Sequence, residues 1–292
     1  MPRTLVLVGA ALALSACSPL PAPTPTTTAL ATGAPAAVAT APPGVTVVVL
    51  QQRSDYGPRR IQLSVVNDGT ADLEVRGISL STPYLDGDAV AKGFPYTVGA
   101  GTTVNFPTAL PASVCSAQRE DPTVELRFAR PGDADGVVRV IPTQPFDSLG
   151  VVHSNDCRRE AFESVVSMTP DPTLRVETDA DGESVAVLSL RLTPTGAPGA
   201  VTLNAVGGTI LLDVAPVGGL PITLGPRSRA ITLEVRATPT RCDPHVVAED
   251  KVGTILPITV TVGSAPSGSF SLVLGDALRN SYLGYVSTAC GW

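Results

Sequence analysis

The sequence predicts an all-β protein made of two tandem β-sandwiches behind a signal peptide and a disordered Pro/Thr-rich linker. Three observations carry that expectation. The chain holds 28 prolines and 27 glycines in 292 residues, which suits short strands joined by turns rather than long helices. Its apolar residues alternate with a period of two, as half-buried strands do. One ordered set of motifs is also written twice, first met at an offset of 126 residues.

Taken in order, residues 1–16 are an address rather than a structural element. Arg3 supplies a minimal positive region, and Leu5 to Leu14 is apolar but too short to span a bilayer, which needs roughly 20 such residues. The stretch ends in Leu14-Ser15-Ala16-Cys17. This resembles the lipobox of bacterial lipoproteins. The resemblance implies cleavage before Cys17, a diacylglycerol on its thiol, and a membrane lipid as the first partner. Residues 17–44 follow as an uncharged tether with seven prolines and a run of threonines. Fully extended at 3.1 Å per residue, such a stalk reaches roughly 80 Å from its anchor.

The duplication occupies the remainder, expected as one sandwich over 45–165 and a second over 166–292. Gly93-Phe94-Pro95-Tyr96-Thr97-Val98-Gly99 recurs as Gly219-Leu220-Pro221-Ile222-Thr223-Leu224-Gly225. Cys115 is matched by Cys242, and Ser148-Leu149-Gly150-Val151-Val152 before Cys157 by Ser281 to Val286 before Cys290. Such a period is too long for a solenoid and right for a domain.

Within the first copy, Ile61, Leu63 and Val65 alternate and end in the turn residues Asn67-Asp68-Gly69. Leu73, Val75 and Ile78 change phase near Gly77, which places a bulge there. Val124, Leu126 and Phe128 mark a third strand. In the second copy, strands are expected over 185–192, 209–214, 230–235, 255–262 and 270–274. Only Glu160 to Ser167 reads as a short helix. In architecture this resembles the immunoglobulin-like modules of bacterial surface proteins. The Cys…Trp…Cys pattern of antibody domains is missing, because the single tryptophan is Trp292. An up-and-down barrel is the rival, and the duplicated period favours two sandwiches.

Four cysteines remain in a chain read as exported, where thiols oxidise. If each copy folds alone, Cys115 pairs with Cys157 and Cys242 with Cys290. Loop-closure entropy makes each bridge worth roughly 4 kcal/mol, less any strain. The second bridge is expected to pin a final strand. Zinc would use close-spaced cysteine pairs, and the sequence has none.

The formal charge of −6 argues against a nucleic-acid partner. His153 and His245 fall in different copies, each beside a disulfide, and read as loop residues. Neither a nucleophile elbow, a P-loop nor a dinucleotide fingerprint occurs. Asp86 and Asp88, Asp133 and Asp135, and Asp179, Asp181 and Glu183 read as solvated turns rather than cation sites. No metal, cofactor or catalytic residue is therefore assigned. Phe94 and Tyr96 align with Leu220 and Ile222, which favours core positions, whereas Tyr84 sits among turn residues. The candidate binding loop is thus Pro83 to Lys92, carrying Tyr84, Asp86 and Asp88. The expectation is a lipid-anchored, extracytoplasmic, non-catalytic binding or scaffolding module with an envelope protein or glycan partner. The alternative is an envelope enzyme or its accessory acting on glycan or peptide, which requires a cleft with converging acids.

Overall fold

The computed structural model describes residues 42–129 and 135–292; the expected signal, Cys17, the expected tether up to residue 41 and Asp133 lie outside them. The first half runs through β1 (Val45–Leu50), a 3₁₀ turn (Arg53–Asp55), β2 (Arg60–Asn67), β3 (Leu73–Ser81), β4 (Ala89–Val90), β5 (Tyr96–Val98), β6 (Thr102–Ala109), β7 (Thr123–Ala129) and β8 (Gly136–Val140). Helix α1 (Ser148–Glu163) follows. The second half comprises β9 (Val166–Pro170), β10 (Arg175–Thr178), β11 (Ser184–Pro194), β12 (Val201–Val206), β13 (Leu212–Pro216), β14 (Ile222–Leu224), β15 (Ile231–Pro239), the short α2 (Pro244–Ala248), β16 (Ile255–Val262), β17 (Gly268–Val273) and α3 (Asp276–Cys290).

The all-β sandwich architecture is realised as four antiparallel sheets. In the first half the sheet β1-β2-β6 faces β4-β3-β7-β8, with β5 also on β3. In the second, β10-β11-β15-β13, with β9 also on β11, faces β14-β12-β16-β17. Alternation decides which residues meet. Val45, Val47 and Val49 of β1, Ile61, Leu63 and Val65 of β2, and Leu73, Val75, Ile78 and Leu80 of β3 are all buried in one core. The phase change within β3 is a register slip against β7 between Val75 and Gly77. A second core gathers Leu188, Leu190 and Leu192 of β11 with Leu256, Ile258 and Val260 of β16.

The repeated motifs land on equivalent elements. The Gly-Pro segments lead into β5, which pairs with β3, and β14, which pairs with β12, and both X–Pro bonds are cis. The disulfides are Cys115–Cys157 and Cys242–Cys290, each with 5.3 Å between Cα atoms.

Three local expectations need correction. Residues 148–163 and 276–290 are helices, so Cys290 pins a helix and not a strand. Gly150, Val151, Val152, Ser154 and Asn155 are poor helix formers, and the first helix is held by packing rather than propensity. In α3 the buried residues Leu278, Tyr282, Tyr285 and Val286 follow the helical period. The strand expected from Thr209 starts at Leu212, because the Thr209 hydroxyl accepts the amides of Leu211 and Leu212 at 3.1 and 3.0 Å and closes a turn. Ahead of β1, the Pro42 carbonyl accepts the Val45 amide at 2.9 Å. Gly44 has φ +75° there, and a Cβ would stand 2.8 Å from the Gly69 amide nitrogen, so only glycine fits.

Two tyrosines of α3 make opposite use of the second core. The Tyr285 hydroxyl donates to the carbonyls of Ser184 and Ala237, at 2.8 and 3.1 Å. The Tyr282 hydroxyl is fully buried with no partner among the described residues, and burial pushes its pKa well above the ordinary tyrosine value. Removing an unmatched buried hydroxyl recovers its desolvation cost, whereas removing a matched one strands its acceptors. Tyr282→Phe is expected to raise the unfolding free energy by about 1 kcal/mol, and Tyr285→Phe to lower it by a similar amount. Urea unfolding of both variants without reductant measures this; two losses of equal size would contradict it.

Candidate functional site

Helix α1 belongs to both cores. Leu149 in its first turn is buried with the first, and Phe162 in its last turn with the second. Phe162 packs on Phe270 of β17 with ring centroids 5.6 Å apart. The Arg159 guanidinium lies 5.5 Å from the same ring and donates to the Ser271 carbonyl. Arg158 donates to the Pro266 carbonyl at 3.1 Å. Gly268 leaves room for that guanidinium, which a Cβ would meet at 2.3 Å.

Because α1 spans the seam, a cleft of about 840 Å³ opens along it, within the range of ligand sites. One wall is the α1 face carrying Asn155, Asp156, Arg159, Glu160 and Glu163, and the other includes Tyr56 and Arg59. Arg59 sits at φ +53°, a conformation disfavoured for a residue with a side chain. Its guanidinium offsets that cost. It donates to Asp156 at 2.8 and 2.5 Å, to the carbonyls of Leu110 and Pro111 at 2.6 Å each, and to Ser113 at 3.1 Å. The Ser113 hydroxyl donates to Asp156 at 2.6 Å. Three acids therefore line the cleft, but Asp156 is committed to Arg59 and Ser113, which leaves Glu160 and Glu163.

The expected binding loop behaves differently. Its backbone pairs with the segment before Cys115: Val114 donates to the Tyr84 carbonyl and Asp86 to that of Ala112, both at 2.9 Å. That pairing lays the Tyr84 ring on His153 of α1, with centroids 4.1 Å apart and planes 16° off parallel. Tyr84 is half-buried against the first core, while Asp86 and Asp88 are exposed. The structure thus separates the three: the aromatic braces α1, and the acids stay in solvent.

Of the other aromatics, Phe94 packs on Phe106 at 5.1 Å and is partly buried, but Tyr96 is 49% exposed at the edge of that pair. The core placement expected for Tyr96 is corrected accordingly. Asp179 accepts the amides of Asp181 and Glu183, at 3.0 and 2.9 Å, within the β10–β11 hairpin turn. Asp135 accepts from Arg76. His245 lies at the start of α2, its amide donating to Asp243 at 2.9 Å. On the outer sheet face, Arg127 and then Arg139 hold the Glu125 carboxyl below the usual carboxylate range.

Sequence reading missed Arg59, Asp156 and Ser113, because their association depends on α1. One signal was present: Asp156, Glu160 and Glu163 recur at spacings of four and three, one face of a helix.

The two bracing arrangements make separable predictions. Asp156→Ala removes a charged acceptor from Arg59 and is expected to cost about 2 kcal/mol. Tyr84→Ala is expected to cost about 2 kcal/mol in lost packing, while Asp86→Ala and Asp88→Ala leave the melting temperature unchanged. Thermal unfolding of the four variants checks this; a stable Tyr84→Ala protein would contradict the bracing role.

Neither a protein family nor a curated protein matches the chain. Among solved structures, the exo-chitosanase CsxA of Amycolatopsis orientalis, in complex with PNP-beta-D-glucosamine, is similar over 78% of this chain and 26% of its own, with 13% identity and a TM-score of 0.20. The chain thus spans about a quarter of that enzyme's length. The sporulation control protein Spo0M of Bacillus subtilis is similar over 84% of this chain and 99% of its own, with 12% identity and a TM-score of 0.22. The CsuC–CsuE chaperone–tip adhesion subunit complex of Acinetobacter baumannii covers 73% and 90%, with 9% identity and a TM-score of 0.17. These likenesses are too remote to say anything about activity. Among the described residues, no helix is long and apolar enough to cross a membrane.

Proposed function

We propose that the protein is a lipid-tethered, extracytoplasmic binding module of a bacterial envelope, and that its working surface is the cleft along α1. The observation that carries this reading is the sharing of α1 between two cores. A cleft whose wall is anchored at both ends is preorganised, and preorganisation lowers the ordering cost of binding. The lipobox at Leu14 to Cys17 and the Pro/Thr tether support the location, and the two disulfides suit an oxidising compartment.

A second reading has one specific observation in its favour. Glu160 and Glu163 line the same cleft, and paired carboxylates are the groups that glycan hydrolysis uses. An envelope glycan is the substrate class it implies, and loss of turnover in both Glu160→Gln and Glu163→Gln is its test.

The binding reading is tested in cells with a photoreactive residue at Asn155, inside the cleft, and a control at Thr178 on the β10–β11 hairpin. Asn155 is expected to give one discrete adduct that Thr178 does not give. The adduct and the incorporation of labelled fatty acid should both disappear in Cys17→Ser. Identical adducts from both positions would sink the cleft as the surface, and labelling that survives Cys17→Ser would sink the tether.

A further inference from the structure

Much of the charge on the outward sheet faces is consumed locally. Arg76 pairs with Glu74 and Asp135, Arg127 and Arg139 with Glu125, Arg175 with Glu177 and Glu234, and Arg236 with Glu177. Arg53, Arg241 and Lys251 break this pattern. Among the described residues none of their side chains has an acidic or hydrogen-bonding partner, yet all three are exposed and line one pocket of about 320 Å³ with His245. Arg53 comes from the first half and the others from the second, so the pocket lies on the same seam as the α1 cleft.

The acids in this pocket do not neutralise the cations. Glu249 is a lining residue but makes no ion pair with them. Asp250 is buried, and its carboxylate accepts the Gly253 amide at 2.9 and 2.8 Å. The lining therefore draws on two arginines, a lysine and a histidine, with Glu249 the one exposed acid among them, in a chain whose formal charge is −6.

The backbone that carries each of these residues is fixed by a neighbour one or two residues away. Arg53 adjoins the buried Asp55, which accepts the Gln52 amide at 3.0 Å and the Gln62 side-chain amide at 2.9 and 2.8 Å. Arg241 precedes the bridged Cys242, His245 follows the capping Asp243, and Lys251 follows Asp250. Like charges gathered on a fixed backbone repel one another, and an anion among them relieves that repulsion.

The geometry points to an anion site in this pocket for a phosphate-bearing ligand. Guanidinium forks match the oxygens of phosphate two at a time, and lysine adds a point charge. Ile210 and Val252 complete the lining with apolar surface. The site stands independently of the tether and of the α1 cleft. The phosphate has two possible sources, a lipid headgroup or a soluble phosphorylated molecule.

The test uses the full chain with Cys17→Ser, so that no lipid of its own intervenes, and inorganic pyrophosphate as the probe in titration calorimetry. Arg53→Gln, Arg241→Gln and Lys251→Gln are each expected to weaken binding about tenfold, the loss of one charge-assisted contact. Arg227→Ala combined with Arg229→Ala, two exposed cations elsewhere, should leave it unchanged. Co-sedimentation with phosphatidylglycerol and phosphatidylcholine vesicles separates the sources. Retention on the anionic vesicles that pyrophosphate displaces assigns the phosphate to a lipid, and pyrophosphate binding without retention assigns it to a soluble ligand. The site is overturned if pyrophosphate does not bind, if the three pocket variants bind like the parent, or if the Arg227 and Arg229 pair weakens binding as much as they do.

Discussion

Helix α1 enters one hydrophobic core with Leu149 and the other with Phe162, roughly 20 Å apart along one rod at 1.5 Å per residue. Each sheet pair could bury most of its apolar surface without this helix. The relation between the halves could not be kept. A joint made only of chain would leave the second half free to reorient, whereas a helix packed at both ends can turn only by exposing Leu149 or Phe162. Burial of side chains of that size is worth about 2 kcal/mol each, so the helix resists reorientation at both ends. The cleft that α1 lines is defined by this joint.

Three different interactions keep α1 in register with the first half. Cys115–Cys157 fixes its middle covalently, the Arg59–Asp156–Ser113 cluster fixes the adjacent turn, and the Tyr84–His153 stack fixes the turn before. All three reach the helix from loops rather than strands. The segment from Leu110 to Cys115 is the common contributor, through the Leu110 and Pro111 carbonyls, the Ser113 hydroxyl, the Val114 backbone and Cys115 itself. A segment without regular structure is thereby ordered by the helix it holds. The unfavourable backbone of Arg59 is tolerated because five donations surround its guanidinium.

The sheets were legible in the sequence because their signals are local. Alternation at Ile61, Leu63 and Val65, the phase slip at Gly77 and the repeated Gly-Pro segments each follow from a few neighbouring residues. The repeated motifs also made the cysteine pairing readable, since they left one pairing internal to both halves. The helices were harder to read for opposite reasons. Around Gly150 and Asn155 propensity opposes the helix, and tertiary contact overrides it. In 278–286 the helical period of Leu278, Tyr282, Tyr285 and Val286 was present but lay in a chain whose other signals were all strand-like. The α1 cleft and the Arg53 pocket were illegible for a different reason. Each draws on residues well over a hundred positions apart, Tyr56 with Ser271 and Arg53 with Lys251, and no local pattern connects them.

The two halves share an order of motifs but end it differently, and that difference sets the direction of the joint. Leu149 and Val152 of α1 align with Tyr282 and Tyr285 of α3, and all four are buried. After Cys157, α1 continues through Arg158, Arg159 and Phe162, the residues that grip β17. After Cys290, Gly291 adopts φ +75° and closes α3. The strand equivalent to β17 in the first half is β8, where Val138 stands in place of Phe270 and Arg139 in place of Ser271. Arg139 turns to Glu125 on its own sheet face. The first half therefore carries the extended helix and the second half carries its receptor strand. Neither half has both parts, so the joint forms once and the two halves cannot exchange roles.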